Sequence, residues 1–168
     1  MASGDMFMKI DGAKAGPIKG DSTEPTHLDE INVKSWSWGM RGNASASISA
    51  GSRGAGSNQI SVSELTFTKG VDCATTGLMV ALRSNEPIKK AVLSLRKAGG
   101  SGPLEYLKIV MEKAQIRSVD LRVDADGITV IETISVAFQK ISVEYQGQEV
   151  RGGSRGTSLF ETDISPSV

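Results

Sequence analysis

A chain of 168 residues carrying 19 Lys+Arg against 19 Asp+Glu has no net charge and no block of like charge, so no field draws it onto nucleic acid or an anionic membrane. Its single cysteine, Cys73, excludes an internal disulfide, and with one histidine, His27, a Cys/His zinc site cannot be assembled. Aromatics at 5% and 19 glycines suit a strand-and-loop protein better than a helical bundle, where an interior glycine costs about 1 kcal/mol. The length predicts one domain, residues 1–168, large enough to bury about 70% of its unfolded surface. The N-terminus has Asp5 in place of a basic segment and no apolar run of leader length. No stretch approaches the roughly 20 apolar residues of a membrane span, so membrane insertion is not expected and export would use a route other than the general secretory one.

In chain order, residues 6–10 form a short apolar strand, and 11–30, with Gly12, Gly16, Pro17, Gly20 and Pro25, a long surface loop. Residues 31–40, INVKSWSWGM, hold both tryptophans and read as a central strand with two unlike faces. Trp36 and Trp38 point into the core, and Ser35, Ser37 and Gly39 point the other way. Residues 41–59 are Gly/Ser/Ala-rich, and a loop of that length inside a domain predicts binding, closure or partner contact. A half-buried strand follows at 60–68, with Leu65 and Phe67 inward.

The helix expected over 75–86 is capped by Thr75 or Thr76, carries Leu78, Met79 and Leu82 on one side, and ends before Pro87. Strands return at 91–97 and 104–117, and an alternating strand at 119–123 leads to Asp126-Gly127, a strong hairpin signal. Residues 128–145 form a long strand with Phe138 on its core face, 146–156 a flexible polar segment, and 157–164 a short final strand. The predicted fold is mainly β: a compact antiparallel barrel or tight two-sheet sandwich with one flanking helix.

Signals for chemistry are weak. Asp124 and Asp126 lack the spacing of a calcium loop, with Arg122 where the first ligand belongs. Gly51, Gly54 and Gly56 have the wrong order for a dinucleotide fingerprint and lead into a strand. Cys73 and His27 have no third residue to orient them as a nucleophile and base. Glu149 and Asp163 read as solvated charges. No cofactor, metal or catalytic residue is expected, and the alternative of a small β-barrel enzyme or ligand-binding domain rests on Cys73 or the Gly-rich loop alone.

Compared as a whole, the chain resembles the Hcp (haemolysin-coregulated protein) family, the tail-tube proteins of type VI secretion systems. The resemblance is carried by DMFMKI at 5–10, DEINVKSWSWGM at 29–40, ISVSELTFTKGVD at 60–72, TTGLMVAL in the helix, LRKAGG at 95–100, LEYLKIVMEKA at 104–114 and ISVAFQKISVEYQ at 134–146. A phage-like tail-tube protein is the near alternative. The resemblance implies a non-enzymatic structural protein whose copies close into homohexameric rings. The rings stack into a tube that is assembled in the cytoplasm and expelled to the medium or a target cell without a signal peptide. It implies as partners the spike protein, contractile sheath and baseplate, and small effector proteins held in the lumen. On that basis Ser35 and Ser37 are expected to face the lumen, and Trp36, Trp38, Phe67 and Phe138 to anchor the core. Arg41, Asn43, Arg53 and Asn58, in the long loop, are expected to contact the next ring or subunit. Residues 147–156 and the short hairpin at 124–127 depart from the family pattern.

Overall fold

A computed structural model describes residues 5–42, 60–99, 102–148 and 154–164. Eleven strands and one helix follow one another among them: β1 (Met6–Gly12), β2 (Gly16–Ile18), β3 (Ile31–Asn32), β4 (Ser35–Ser37), β5 (Met40–Gly42), β6 (Ile60–Val62), β7 (Leu65–Gly70), α1 (Ala74–Arg83), β8 (Ile88–Gly99), β9 (Gly102–Val123), β10 (Val130–Gln148) and β11 (Ser154–Asp163). Strand pairing is antiparallel at every described ladder.

The main sheet runs β2-β1-β8-β9-β10-β7-β4, with β3 added on β1 and β11 on β10. Two long strands dominate it. β9 absorbs both the strand expected at 104–117 and the one expected at 119–123, and β10 stays paired to it from Val130 to Tyr145. A register shift between Ser135 and Val136, and left-handed backbone at Lys113 (φ 48°), mark where the pair departs from a regular ladder. Bulges of this kind bend a strand and sharpen its twist.

The stretch 31–40 is not one central strand, as its alternation suggested, but the seam of the barrel. Its first part, β3, pairs with β1, and its second part, β4, pairs with β7. Between them the Val33 N–H donates to Met6 O (3.0 Å) and the Lys34 N–H to Thr68 O (2.8 Å), so two consecutive amides bond the two ends of the sheet and close it. Burial follows suit: Ile31 and Val33 are buried, and beyond Lys34 the inward positions shift to Trp36 and Trp38. Period-two alternation cannot report such a change of partner.

The core is drawn from all sides of this barrel, with Met8, Ile31, Leu65, Phe67, Leu78, Leu93, Ile109, Met111 and Ile134 essentially inaccessible. Phe67 is fully buried and Phe138 is 8% exposed. Trp36 and Trp38 are only half-buried against the core's edge. Helix α1 packs on β9 and β2, burying Ala74, Thr75, Leu78 and Ala81 while Met79 stays 38% exposed. Neither expected threonine caps it. Asp72 accepts from the Ala74 N–H (2.9 Å), and the buried Thr75 hydroxyl accepts from the Asp72 N–H (3.0 Å). The helix stops at Arg83, three residues early, because Asn85 turns left-handed (φ 55°).

Two expected loops hold more structure than composition suggested. Within 11–30, β1 and β2 form a hairpin and the remainder folds back on itself, the Gly20 N–H donating to Asp29 O and the Asp29 N–H to Ser22 O. A Cβ at Gly20 would sit 2.5 Å from Glu30 O, so only glycine permits the approach. Segment 146–156, expected to be flexible, is paired at both ends, Gln146 with Thr157, Gly147 with Arg155 and Gln148 with Ser154.

Candidate functional site

The pairing brings together a polar face that the sequence shows only in fragments. Residues directly opposite one another in antiparallel strands share a side of the sheet. One row therefore reads Ser35, Thr68, Thr133, Asp120, and the next Ser37, Thr66, Ser135, Ser118. The intervening row, Trp36, Phe67, Ile134 and Val119, faces the core. Across β4, β7, β10 and β9 these two rows are, apart from Asp120, all small hydroxyl side chains, and the next row on the same face is Gly70, Ile131 and Arg122. The hydroxyls bond laterally: Ser35 Oγ lies 2.6 Å from Thr68 Oγ1, and Thr66 Oγ1 3.2 Å from Ser135 Oγ.

Sequence reasoning found Ser35 and Ser37 and missed Thr66, Thr68, Ser118, Thr133 and Ser135. Their signal was present in the same alternation, as in TFT at 66–68 and TIS at 133–135, but without the strand order nothing joined these positions to the serines. The face is smooth and hydrogen-bonds sideways, and Asp120 is the one acidic group in its two rows.

Beside it the chain leaves the barrel as a separate ribbon, β5 paired with β6. The ribbon is fastened at its base by Trp38 Nε1 donating to Ser63 O (3.0 Å) and the Ser63 N–H to Gly39 O (3.0 Å). Arg41 stands exposed on it, opposite Ser61. Asn43, Arg53 and Asn58, expected to act with Arg41, lie outside the described residues.

The residues weighed for chemistry are held apart. The Cys73 thiol donates to Lys19 O (3.0 Å) and sits by the Asp21 carboxylate, which pushes its pKa up to about 11, so it is a thiol and not a thiolate at neutral pH. His27 is not in a solvated loop but 5% exposed, stacked on Phe7 with ring centroids 4.4 Å apart. Its Nδ1 lies 2.8 Å from Glu30 and its Nε2 2.8 Å from Glu105, the latter outside hydrogen-bond alignment. The ring therefore faces carboxylates and not the thiol, and no nucleophile–base pair forms. Asp126 accepts from the Thr129 hydroxyl and from the Thr129 and Ile128 N–H groups, which hold its pKa near 2 and make it a turn-forming carboxylate. Among the described residues no group of three His, Cys, Asp or Glu could hold a metal ion, and no helix is long and apolar enough to cross a membrane.

A closed β-barrel with a broad hydroxyl-lined face and a separate two-stranded ribbon has the architecture of a binding or assembly protein. Comparison narrows this. The family described as "Type VI secretion system effector, Hcp" matches residues 7–145. Protein hcp1 of Pseudomonas aeruginosa is 37% identical over 152 residues, covering 90% of this chain and 89% of that one. The crystal structure of a type VI secretion system effector from Yersinia pestis superposes with a TM-score of 0.73 at 29% identity, covering 95% and 100% of the two chains. A chain of the anti-feeding prophage baseplate shares the fold, with a TM-score of 0.51 at 13% identity over 85% of this chain and 94% of that one. The chain belongs to the Hcp family and is a structural, tube-forming component of the type VI secretion system.

Proposed function

We propose that six copies of this chain close into a ring, that rings stack into the expelled inner tube, and that the Ser/Thr face lines the lumen, where small effector proteins are held before export. The observation that carries the lumen reading is the hydroxyl ladder itself. Its four strands present two unbroken rows of short polar side chains, backed by a core row, and a passage for varied protein cargo needs a wall that is polar, shallow and chemically even. The reading assigns the chain no reaction of its own. Its further partners are the spike protein, the contractile sheath and the baseplate, and its export needs no signal peptide. Nucleic acid has no part in it.

Substituting Ser37→Gln tests the lumen assignment, because Ser37 is exposed and its row is flanked only by Thr66, Ser135 and Ser118. Rings should form as in the wild type, while co-purification of a co-expressed effector falls at least several-fold. Undiminished retention in intact rings would show that cargo is held elsewhere.

A further inference from the structure

β10 gives the molecule two unlike flanks. On one side it holds β9 along nearly its whole length, from Val130 to Tyr145; on the other it holds β7 as far as Val136 and β11 from Lys140 onward. Each flank ends in an edge that is unpaired among the described residues. One is the outer edge of β11, on the flank whose β7 branch ends in the short edge strand β4, and the other is β9 beyond Ala114, where β8 has left it.

Both open edges carry apolar side chains on the face that elsewhere is core. On β11, Phe160 extends the row Leu93, Ile109, Val143 and is 43% exposed, next to Tyr145 at 48%. On β9, Leu121 extends the row Lys69, Glu132 and is 48% exposed, with Val123 beyond it at 57%. An unpaired edge with a wetted extension of the core face is a surface that natural sheets ordinarily cover. Both edges carry charges of either sign, Glu161 and Asp163 on β11 and Arg117, Asp120 and Arg122 on β9, but they differ at their ends. Arg155 stands at the start of β11, and Asp124 and Asp126 stand at the end of β9. None of the three has an ion-pair partner among the described residues.

We infer that the β11 flank of one copy seats on the β9 flank of the next, Phe160 and Tyr145 covering Leu121 and Val123, with Arg155 directed at the Asp124–Asp126 turn. The inference rests on the ring reading above and names the surfaces that would close it. A second copy is the occupant because the two patches differ, lie on opposite flanks of one strand, and end in charges of opposite sign, Arg155 on one and Asp124 and Asp126 on the other. A two-fold pair needs one self-complementary patch, whereas a closed ring needs two unlike ones that meet head to tail.

The test is a disulfide ladder. In a Cys73→Ser background, Ser158→Cys, on the Phe160 side of β11, is combined with Val123→Cys. Oxidation should give covalent multimers up to the ring, which collapse to one chain under reductant, while each single-cysteine protein stops at a dimer or below. Independently, Phe160→Asp should elute as a folded monomer by light scattering with an unchanged circular dichroism spectrum. Wild-type rings with no ladder, or Phe160→Asp rings of full mass, would overturn these contacts and leave the ring reading standing. A wild-type protein that is monomeric at every concentration would overturn the ring reading and the inference with it.

Discussion

Lys69 is the least expected residue of the core. It is 0% exposed, its Nζ bonds to the equally buried Glu132 carboxylate and to Gly70 O (2.9 Å), and it lies 2.7 Å from Asp72 Oδ1 and 3.3 Å from Thr75 Oγ1. The alternation of β7 puts position 69 on the same side as Leu65 and Phe67, so the sequence already directed a lysine inward. What the sequence did not contain was the partner, 63 residues away on β10. The bonded pair also ties the helix start to the barrel, since Asp72 precedes α1 and Thr75 lies in its first turn. Removing one member of a buried pair leaves the other charge uncompensated, at a cost of about 3–5 kcal/mol, whereas replacing both by apolar groups is often neutral. Lys69→Met should therefore lose about that much stability in urea unfolding, and Lys69→Met with Glu132→Leu should regain most of it. Equal losses in the single and the double variant would mean that the pair contributes only through its volume. Trp36 and Trp38 teach the converse. Their parity was legible, but their depth was not, because β4 has a single neighbour, β7, among the described strands and an edge strand cannot enclose an indole.

Glu86 joins two elements that the sequence kept separate. It was read as the last residue of the helix, yet the helix has already ended, and its carboxylate accepts the N–H groups of Lys14 (2.6 Å) and Ala15 (2.8 Å) in the turn between β1 and β2. Those two amides hold its pKa below the ordinary glutamate range. A carboxylate whose pKa is lower folded than unfolded contributes stability above the unfolded value, and that contribution disappears as pH falls through the folded one. Glu86→Gln should thus melt at a lower temperature than the wild type at neutral pH, and the gap should close as pH falls below the ordinary glutamate range. A gap that stays constant over thermal melts from pH 7 to 3 would assign the effect to shape and not to charge. The same tether bounds a groove of about 550 Å³ between α1 and β2, lined by Pro17, Ile18, Val80 and Ala81 among others. Helix type and place were legible from Leu78 and the Pro87 stop; its end was not, because a left-handed Asn85 leaves no trace in periodicity.

At the scale of the molecule, strand content and antiparallel order followed from alternation and turn signals, and the motif resemblance pointed to the family that the comparisons established. Closure at Val33 and Lys34, the four-strand polar face and the two flanks of β10 depend on which strands become neighbours, and chain order does not encode that directly. The ribbon β5–β6 stands apart from all three. It forms its own two-stranded sheet, and its described contacts to the rest are made at the base, by Val62 packed against the core and by hydrogen bonds among Gly39, Trp38 and Ser63. Among the described residues Arg41, Gly42 and Ile60 stand exposed, and the flanks proposed to close the ring do not include the ribbon. If the segment that joins β5 to β6 in sequence serves contact between rings, deleting residues 51–57 should leave the melting temperature and the ring mass unchanged while abolishing stacking, so that negative-stain images show single rings where the wild type shows tubes. Tubes of wild-type length from the deleted protein would transfer the stacking role to the barrel ends, and loss of the rings themselves would place that segment in the contact between neighbouring copies.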